Sequence, residues 1–415
     1  MRTSAVKSVL FVGGKRTEAL EAARNSGLQV IYVGPKTDMT ARHHELVDAA
    51  FLFPEFSPEL ALRAAIALRE LIPFDIAYTA GDPYLETAAR INHELGLKSN
   101  PLRTVSAVND KALMRDILRD TGVHQVAAAK IRNRLDLEEF VTSNGFPLIL
   151  KPTRGSASED VRIISDPTEL ADVAAGLESA GNASSDSAAP WVAEEFLEGR
   201  EFSVETHSAA GEHQILAVTE KFKTESFVEI GHVVPARITA EEHTLLTDET
   251  KAVLTALGVE EGPAHTELIL TAKGPGLVET HTRPGGDAIV ELIRIVAGYD
   301  IHEMTFSWLS GERADVSHEP LAGGAAIWFL TAEQGRVTTA GGETEARTSE
   351  GVQFASLSAA VGDVISEVRS SADRHGEALA VGEDADSALR NAREAVARFL
   401  VEVEPLTLTG DPVQG

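Results

Sequence analysis

The sequence predicts an α/β protein built from about three domains, given its 415 residues, and two patterns carry this prediction. The first is an apolar strand, an amphipathic helix and a second apolar strand within residues 8–34, as in a parallel sheet. The second is a pair of alternating strands around a glycine turn within residues 263–287, as in an antiparallel hairpin of an α+β region. The fold class is therefore mixed, with a parallel sheet first.

The first hundred residues predict an open parallel sheet of the Rossmann-like type. A helix over 58–71, a strand over 75–78 and a helix over 84–95 follow the first strand–helix–strand unit. Gly13 and Gly14 predict a tight turn after the first strand. They lack the GxGxxG pattern of a dinucleotide site, so no NAD is expected there.

The centre of the chain predicts strands joined by glycine-containing loops. The segment NDKALMRDILRDTG predicts a helix that begins near Asn109 or Asp110 and closes at Gly122. Residues 146–164 and 191–208 each predict two strands with a loop between them. Farther along, helices are expected after Pro284 and over 386–399, and the polar run 181–190 is expected to be a surface loop.

Charge and composition exclude several classes of protein. With 37 basic and 64 acidic residues the formal net charge is −27, and a field of that sign repels the phosphates of a nucleic acid. The absence of cysteine from the sequence excludes disulfides, thiolate metal sites and cysteine nucleophiles. We therefore expect no nucleic-acid partner, and any metal must be held by oxygen or imidazole.

No stretch of the sequence suits a membrane or an export signal. The apolar run Val9–Val12 is followed at once by glycines and two cations and is too short for a signal peptide. No segment reaches the roughly 18 consecutive apolar residues of a membrane helix. We expect a cytoplasmic protein without a membrane partner.

The segment PAHTELILTAKGPGLVETHTRPGGD carries the most information about chemistry. Its turn sequence places the centre of an antiparallel hairpin at Lys273. In a symmetric register one face carries two opposed pairs, Glu267 with Glu279 and His265 with His281. The other face, which suits burial, carries Leu268, Leu270 and Val278. Opposed carboxylates repel each other, so a cation is expected between them.

Three interpretations of this face are open. A lysine or arginine from elsewhere neutralises the glutamates, or the two histidines and two glutamates bind a transition metal, or the glutamates hold Mg²⁺ that grips nucleotide phosphates. The hairpin alone does not choose between the last two. Lys151, between an apolar strand and the loop TRGSAS, and Lys111, in the first turn of a helix, together favour a nucleotide, because lysines and flexible backbone amides suit phosphates.

Taken in order, these motifs resemble the ATP-grasp superfamily, and within it the carboxylate–amine ligases that include bacterial L-amino acid ligases. The resemblance is strong over about residues 105–311. The matching segments are DKALMRDILRDTG, FPLILKP, TRGSAS, EEFLEGREFSVE, FVEIGHVVPA, HTEL and VETHTRPGG. The resemblance implies an N-terminal domain over 1–107, an ATP-grasp domain over 108–311 with a mobile lid at about 125–205, and a small C-terminal α/β domain over 312–415 that completes the site.

The resemblance also implies roles for single residues. Two lysines contact the phosphates, the hinge EEFL holds adenine, and a glutamate takes the ribose. The residues implied for ATP are Lys111, Lys151, Ser156, Glu194, Glu195, Leu197 and Glu201. The metal ligands implied are Glu267 and Glu279. Arg283 is implied as the catalytic arginine, which steadies the carboxylate, the acylphosphate and the later oxyanion. The residues implied for substrate are Glu229, His232, His281, Arg283, Gly285 and Gly286.

The chain departs from the family pattern in two places. His281 stands where the superfamily often has asparagine, and imidazole is a poorer Mg²⁺ ligand than an amide oxygen. We therefore expect His281 to contact substrate or phosphate, or to accept metal only weakly. The loop TRGSASED has an alanine and acidic residues where another glycine is common, so its closure over phosphate is expected to differ.

The function that the resemblance predicts is ATP-dependent formation of an amide or peptide bond between amino acids through an acylphosphate, with release of ADP and phosphate. The cofactors implied are ATP and Mg²⁺, with Mn²⁺ as a substitute. The partners are a small-molecule carboxylate and amine, and a homodimer is left open. Alternatives are an ATP-grasp carboxylase of the biotin or purine type, a His/Glu metallohydrolase and a non-catalytic nucleotide-binding module.

Overall fold

The computed structural model describes residues 7–123, 126–155, 160–181, 191–310 and 318–405. These residues form two compact units. Unit 1 contains the described residues up to Val218 together with the described residues of Ile238–Glu319. Unit 2 contains Thr219–Arg237 and the described residues from Pro320 onward. None of the described helices is both long and apolar enough to cross a bilayer.

Unit 1 begins with the parallel sheet that the sequence predicts. Its elements are β1 (Ser8–Val12), α1 (Glu18–Asn25), β2 (Gln29–Pro35), α2 (Ala41–Leu46), β3 (Ala49–Phe53), α3 (Pro58–Leu71), β4 (Ile76–Tyr78), α4 (Leu85–Leu95) and α5 (Leu102–Val108). The strand order is β3-β2-β1-β4, and all of the pairs are parallel. Helix α3 begins where Ser57 accepts a hydrogen bond from the backbone amide of Leu60.

Strand β1 is buried on both faces, as a central parallel strand should be. Val9 and Phe11 point to one side, where they join a cluster with residues of α1 and with Phe306. Leu10 and Val12 point to the other side, where they join residues of α3 and α4. The strand is therefore fixed between two apolar layers, and its carboxyl end has a defined position.

A second, antiparallel sheet and the strands that follow it make up the middle of the chain. Its elements are α6 (Lys111–Thr121), β5 (Ala128–Ile131), α7 (Arg134–Asn144), β6 (Leu148–Pro152), β7 (Arg162–Ile164), α8 (Pro167–Gly181), β8 (Trp191–Glu195), β9 (Arg200–Ala209) and β10 (Glu212–Lys223). The sheet has the order β5-β8-β6-β7. Leu137 and Phe140 of α7 pack against Leu148 and Leu150 of β6 to form its core.

The predicted hairpin lies in a larger antiparallel sheet. The next elements are β11 (Glu229–Val234), α9 (Ala240–Leu257), β12 (Gly262–Thr271), β13 (Gly274–His281), α10 (Ile289–Ala297) and α11 (Ile301–Ser310). Within unit 1 the strands lie in the order β13-β12-β9-β10. The hairpin is thus backed by β9, which carries the chain in from the hinge after β8.

Unit 2 contains the rest of the strands. Its later elements are β14 (Gly324–Leu330), β15 (Gly335–Gly341), α12 (Glu343–Arg347), β16 (Val352–Leu357), β17 (Val364–Ile365), β18 (Gly376–Gly382), α13 (Ala385–Val396) and β19 (Leu400–Glu404). One sheet has the order β11-β14-β18-β16 and the other β17-β15-β19. Alanines such as Ala326, Ala380, Ala388 and Ala392 let α13 pack closely on the first of these sheets.

The predicted α/β class and N-terminal parallel sheet are confirmed. Helix α6 begins after Asp110 and ends at Gly122, which is left-handed, as predicted. The last helix ends at Val396 and not at residue 399, because the chain there turns into strand β19. Helix α9 was missed, although its capping box of Thr239 and Glu242 is visible in the sequence.

Candidate active site

The hairpin of β12 and β13 has the predicted register at its charged positions. His265 pairs with His281, and Glu267 pairs with Glu279. Beyond Glu267 the register shifts, so that Leu268 pairs with Leu277 and not with Val278. The symmetric register fails there because the bulge adds one residue to β13. The two glutamates nevertheless lie opposite each other on one face.

Lys111 is buried, rather than turned to water as a lysine in a first helical turn usually is. Its side chain reaches across the site, where its Nζ lies 2.9 Å from Glu279 Oε2 and donates to the carbonyl of Gly155 at 2.8 Å. Burial lowers the pKa of Lys111, but the carboxylate of Glu279, aided by Glu194 and Glu267, outweighs burial and the net pKa is raised. Lys111 is therefore a stable cation next to the predicted metal ligand.

Lys151 belongs to a second buried group of charges. Its Nζ lies 2.8 Å from Glu194 Oε2, and Arg115 donates to both oxygens of the same carboxylate, at 2.8 and 3.0 Å. Burial raises the pKa of Glu194, but the two cations hold it at about 2. Burial also lowers the pKa of Lys151, and the positive charges of Arg115 and Lys111 add to this, so that Glu194 offsets the change only in part.

The predicted adenine hinge follows β8 and packs on the hairpin. The carboxylate of Glu195 accepts a hydrogen bond of 2.8 Å from the backbone amide of Ala127. Leu197 lies over Gly276, where an added Cβ would be 2.7 Å from Leu197 Cδ1. Glu201 is buried on β9, opposite Ile269. The hinge and the hairpin therefore position each other.

A buried histidine supports the first glutamate. His265 Nδ1 lies 2.6 Å from Glu205 Oε1, and its Nε2 lies 2.9 Å from Glu267 Oε1. Burial lowers the pKa of His265, but Glu205 and then Glu267 raise it to about 9. Glu205 is fully buried and also accepts a hydrogen bond from Ser203 Oγ at 2.8 Å. His265 is therefore an imidazolium that links two carboxylates.

The second glutamate is held by a histidine in the same way. His281 Nε2 lies 3.1 Å from Glu279 Oε1. Burial raises the pKa of Glu279, but Lys111 and then His281 bring it well below its usual range. The positive charge that the sequence requires beside the glutamates is thus supplied in part by Lys111 and His265.

Arg283 is held by a residue that the sequence analysis missed. It donates to Asp82 through Nε and through Nη2, the latter at 2.8 Å, while its Nη1 donates to the carbonyl of Pro284 at 2.8 Å. Burial raises the pKa of Asp82, but Arg283 outweighs this and the net pKa is lowered. Asp82 follows strand β4, and the carboxyl end of a parallel strand is a common place for functional residues, which is the pattern that predicts it.

Two further residues were missed because their partners are distant in sequence. Arg115 lies four residues after Lys111 in α6, so both side chains share one helix face, and this spacing is visible in the sequence. Glu205 pairs with His265 only because β9 lies beside β12. Glu205 lies two residues after Ser203, so the sequence predicts that both side chains lie on one face of β9. The sequence does not predict which histidine Glu205 contacts.

The structure places the remaining predicted residues as follows. Gly285 lies beside His265, where an added Cβ would be 3.1 Å from Nδ1. Glu229 and His232 lie on β11 in unit 2, where Glu229 forms an ion pair with Lys221 and His232 is fully buried. Ser156 lies outside the described residues. Gly286 follows Gly285 in the turn before α10.

The opposed glutamates fit a hard divalent cation. Both side chains are about one-seventh exposed, at 14% for Glu267 and 15% for Glu279, so they reach solvent from an otherwise buried face. Carboxylate oxygens are the ligands that Mg²⁺ prefers. His265 does not fit as a ligand beside them because both of its nitrogens face carboxylates.

Comparisons with known proteins agree with the fold described above. Residues 144–291 match the ATP-grasp domain family, and residues 328–404 match the L-amino acid ligase C-terminal domain 2. The crystal structure of an L-amino acid ligase from Bacillus licheniformis superposes with a TM-score of 0.81 at 21% identity, covering 97% of this chain and 100% of that one. Phosphoribosylglycinamide synthetase from Anaerococcus prevotii superposes with a TM-score of 0.71 at 18% identity, covering 96% and 100%.

Sequence relatives include ligases of amino acids. Alanine–anticapsin ligase of Bacillus subtilis (strain 168) is 27% identical over 278 residues, which are 62% of this chain and 59% of that ligase. Carnosine synthase 1 of Mus musculus is 24% identical over 321 residues, 71% of this chain and 38% of the synthase. The chain thus spans about three-fifths of the length of the bacterial ligase it matches, at 59%. The chain therefore contains an ATP-grasp domain within residues 144–291, followed by an L-amino acid ligase C-terminal domain 2 within residues 328–404.

Proposed function

We propose that this protein is an ATP-dependent ligase that joins the carboxylate of one amino acid to the amine of another and releases ADP and phosphate. The observation that carries the proposal is the group of buried charges in unit 1, in which two lysines and an arginine surround two opposed glutamates. Such a group suits phosphoryl transfer, which needs positioning and charge neutralisation and no protein nucleophile.

ATP would bind to the two lysines and to the hinge after β8. Lys111 and Lys151 would contact the phosphates, together with Ser156. Adenine would lie against Leu197 and the hinge backbone, and Glu201 would receive the ribose. Because two cations already hold the carboxylate of Glu194, this side chain would position Lys151 rather than bind adenine itself. Glu195 is likewise held at Ala127, so its contribution to the base would come from its backbone.

The metal would lie at the hairpin. Glu267 and Glu279 would hold Mg²⁺, with Mn²⁺ as a substitute, and a bound ion would neutralise phosphate charge during transfer. His265 fixes Glu267 from behind, because it is itself anchored to Glu205. These partners set the orientation of the carboxylates before any ligand arrives.

The chemistry follows from the charges of the chain. An oxygen of the substrate carboxylate attacks the γ-phosphorus of ATP, ADP leaves, and an acylphosphate forms. The amine then attacks the acyl carbon, phosphate leaves with its bridging oxygen, and the amine loses a proton. The lysines neutralise the phosphoryl group in transfer, and Arg283 stabilises the tetrahedral oxyanion, an interaction worth on the order of 3 kcal/mol.

The substrates are proposed to be amino acids. Support comes from the names of the relatives, which include alanine–anticapsin ligase and D-alanine–D-alanine ligase. Arg283, Gly285 and Gly286 would receive the activated carboxylate, since glycine lets an anion approach the backbone. Roles of Glu229, His232 and His281 at the substrates stay predictions.

A screen of amino-acid pairs tests the proposal. ADP and phosphate release would be measured, and the product would be identified by mass spectrometry as the sum of both substrates less one water. Glu279→Ala and Arg283→Ala should lose this activity while still unfolding in a cooperative thermal transition, at a lower temperature because each variant removes one partner of a buried ion pair. Glu70→Ala, at an exposed position of α3, should keep the activity and the wild-type transition temperature. Unchanged turnover of Glu279→Ala or Arg283→Ala would remove that residue from the mechanism.

A further inference from the structure

Two adjacent cations follow strand β1 and have no part in the chemistry proposed above. Lys15 and Arg16 are both exposed, and in the described part of the chain neither side chain has a hydrogen bond or an ion pair. The chain as a whole carries a net charge of −27. An arginine that is kept apart from so many carboxylates is available for an anion that comes from outside.

The turn that carries these cations is fixed by the fold. The backbone amide of Gly13 donates to the carbonyl of Val33 at 2.8 Å, and that of Gly14 donates to Asp38 at 3.0 Å. Tyr84 donates to the same carboxylate at 2.7 Å. Gly13 is left-handed, and the Tyr84 ring occupies the space that a Cβ would need. Within this turn, the side chains that can contact a ligand are therefore those of Lys15 and Arg16.

The strand order puts this turn at the edge of the sheet where open α/β sheets bind ligands. In the order β3-β2-β1-β4, strands β2 and β3 lie on one side of β1, and the chain then crosses over so that β4 lies on the other side of β1. Such a reversal opens a crevice at the carboxyl ends of the two neighbouring strands, where open α/β sheets bind ligands. Arg16 comes from the β1 side, and Asp82, which holds Arg283, comes from the β4 side.

The turn before helix α10 lies between the two arginines. Arg16 Nη2 is 3.8 Å from the place that a Cβ on Gly286 would take, and Arg283 lies at the other end of the same turn. His302 is also near Arg16. Burial lowers the pKa of His302, and Arg16 lowers it further against the acidic neighbours Asp300 and Glu18. Because the pKa of His302 is lowered overall, its neutral form is favoured, and Arg16 supplies the positive charge beside Gly286.

Resting on the proposed function, we propose that Arg16 binds the carboxylate of the amine substrate, so that the acceptor is an amino acid rather than a simple amine. The activated carboxylate loses its charge when it becomes an acylphosphate, whereas the carboxylate of the acceptor keeps its charge throughout. The free ammonium of the donor would be repelled by Arg16. A guanidinium suits the permanent carboxylate because it can bind both oxygens at once.

The test compares two acceptors that differ only in this carboxylate. For the best acceptor amino acid and its carboxamide, KM and kcat would be measured with the full-length wild-type protein, Arg16→Gln, Arg16→Lys and the matched control Arg63→Gln on the exposed surface of α3. In Arg16→Gln the ratio of the acid KM to the amide KM should rise about tenfold to hundredfold, the loss expected for a charge-assisted hydrogen bond. Arg16→Lys should bring this KM ratio part of the way back to the wild-type value, and Arg63→Gln should give the wild-type ratio.

A second assay separates failure of this inference from failure of the proposed function. Hydroxylamine has no carboxylate, and it traps an acylphosphate as a hydroxamate. Hydroxamate formation by the wild-type protein, together with an acid-to-amide ratio that Arg16→Gln leaves unchanged, would overturn the role of Arg16 and leave the ligase function standing. If no donor acid gives hydroxamate or ADP in the wild-type protein, both are overturned.

Discussion

Glu194 neutralises two buried cations at once, Lys151 and Arg115, and this makes it a structural centre of the proposed nucleotide site. Arg115 also donates to the carbonyl of Leu277 at 2.7 Å, so the same group ties α6 to β13. The pKa of Glu194 at about 2 shows that the charged form is favoured despite its burial. Its role is therefore to keep Lys151 extended and charged.

Replacement of Glu194 by glutamine should leave two buried positive charges facing each other. Loss of one partner from a buried pair usually costs about 3–5 kcal/mol. We expect Glu194→Gln to lower the free energy of unfolding by that order, measured with urea. Glu70→Gln, at an exposed position, should change it by less than about 0.5 kcal/mol. Equal stability of the two variants would contradict this role of Glu194.

His265 predicts a pH dependence of stability. Its pKa is raised from 6.5 to about 9 in the folded protein. The stabilisation is therefore fully present below pH 6.5 and is lost as the pH rises towards 9. The free energy of unfolding, measured with urea between these pH values, should fall less steeply with pH in His265→Gln than in the wild-type protein. His44→Gln, on an exposed face of α2, should keep the wild-type pH dependence. A His265→Gln slope equal to that of wild type would show that the imidazolium contributes nothing.

At the scale of elements, the hinge and the hairpin depend on each other through Gly276. A methyl group there would press on Leu197, and overpacking of this kind typically costs about 1–3 kcal/mol. We expect Gly276→Ala to destabilise the protein by that order and to raise the KM for ATP, because the Leu197 side chain of the hinge must shift. Gly176→Ala has open space and lies in helix α8, so it should be neutral or stabilising by up to about 1 kcal/mol. Equal KM values for ATP in both variants would contradict the role of the hinge in binding the nucleotide.

The sequence predicts elements better than contacts. The caps of α6 and the opposed glutamates follow from local patterns, since Asp110 and Gly122 mark the helix ends and the turn at Lys273 sets the register. The bulge that pairs Leu268 with Leu277 has no such local mark. The partners of Arg283 and His265 were missed because Asp82 and Glu205 come from strands far away in the chain.

At the scale of the whole molecule, the family and the fold were predicted from the order of motifs. Each motif alone is degenerate, and the order from Lys111 to Arg283 is what indicates an ATP-grasp domain. The matches over 144–291 and 328–404 confirm this assignment. The domain boundaries at 107 and 311, the homodimer and the individual substrates stay predictions, because they depend on surfaces and ligands that no local pattern defines.

The proposed function requires that an oxygen of the substrate carboxylate attack the γ-phosphorus of ATP at the group of buried charges in unit 1. The most direct measurement uses a donor amino acid labelled with ¹⁸O in its carboxylate, followed by mass spectrometry of the released phosphate. The mechanism predicts one ¹⁸O atom in each phosphate formed together with product, since the bridging oxygen leaves with the phosphoryl group. Unlabelled phosphate accompanied by ADP release would show that water attacks the nucleotide and would contradict the ligase mechanism.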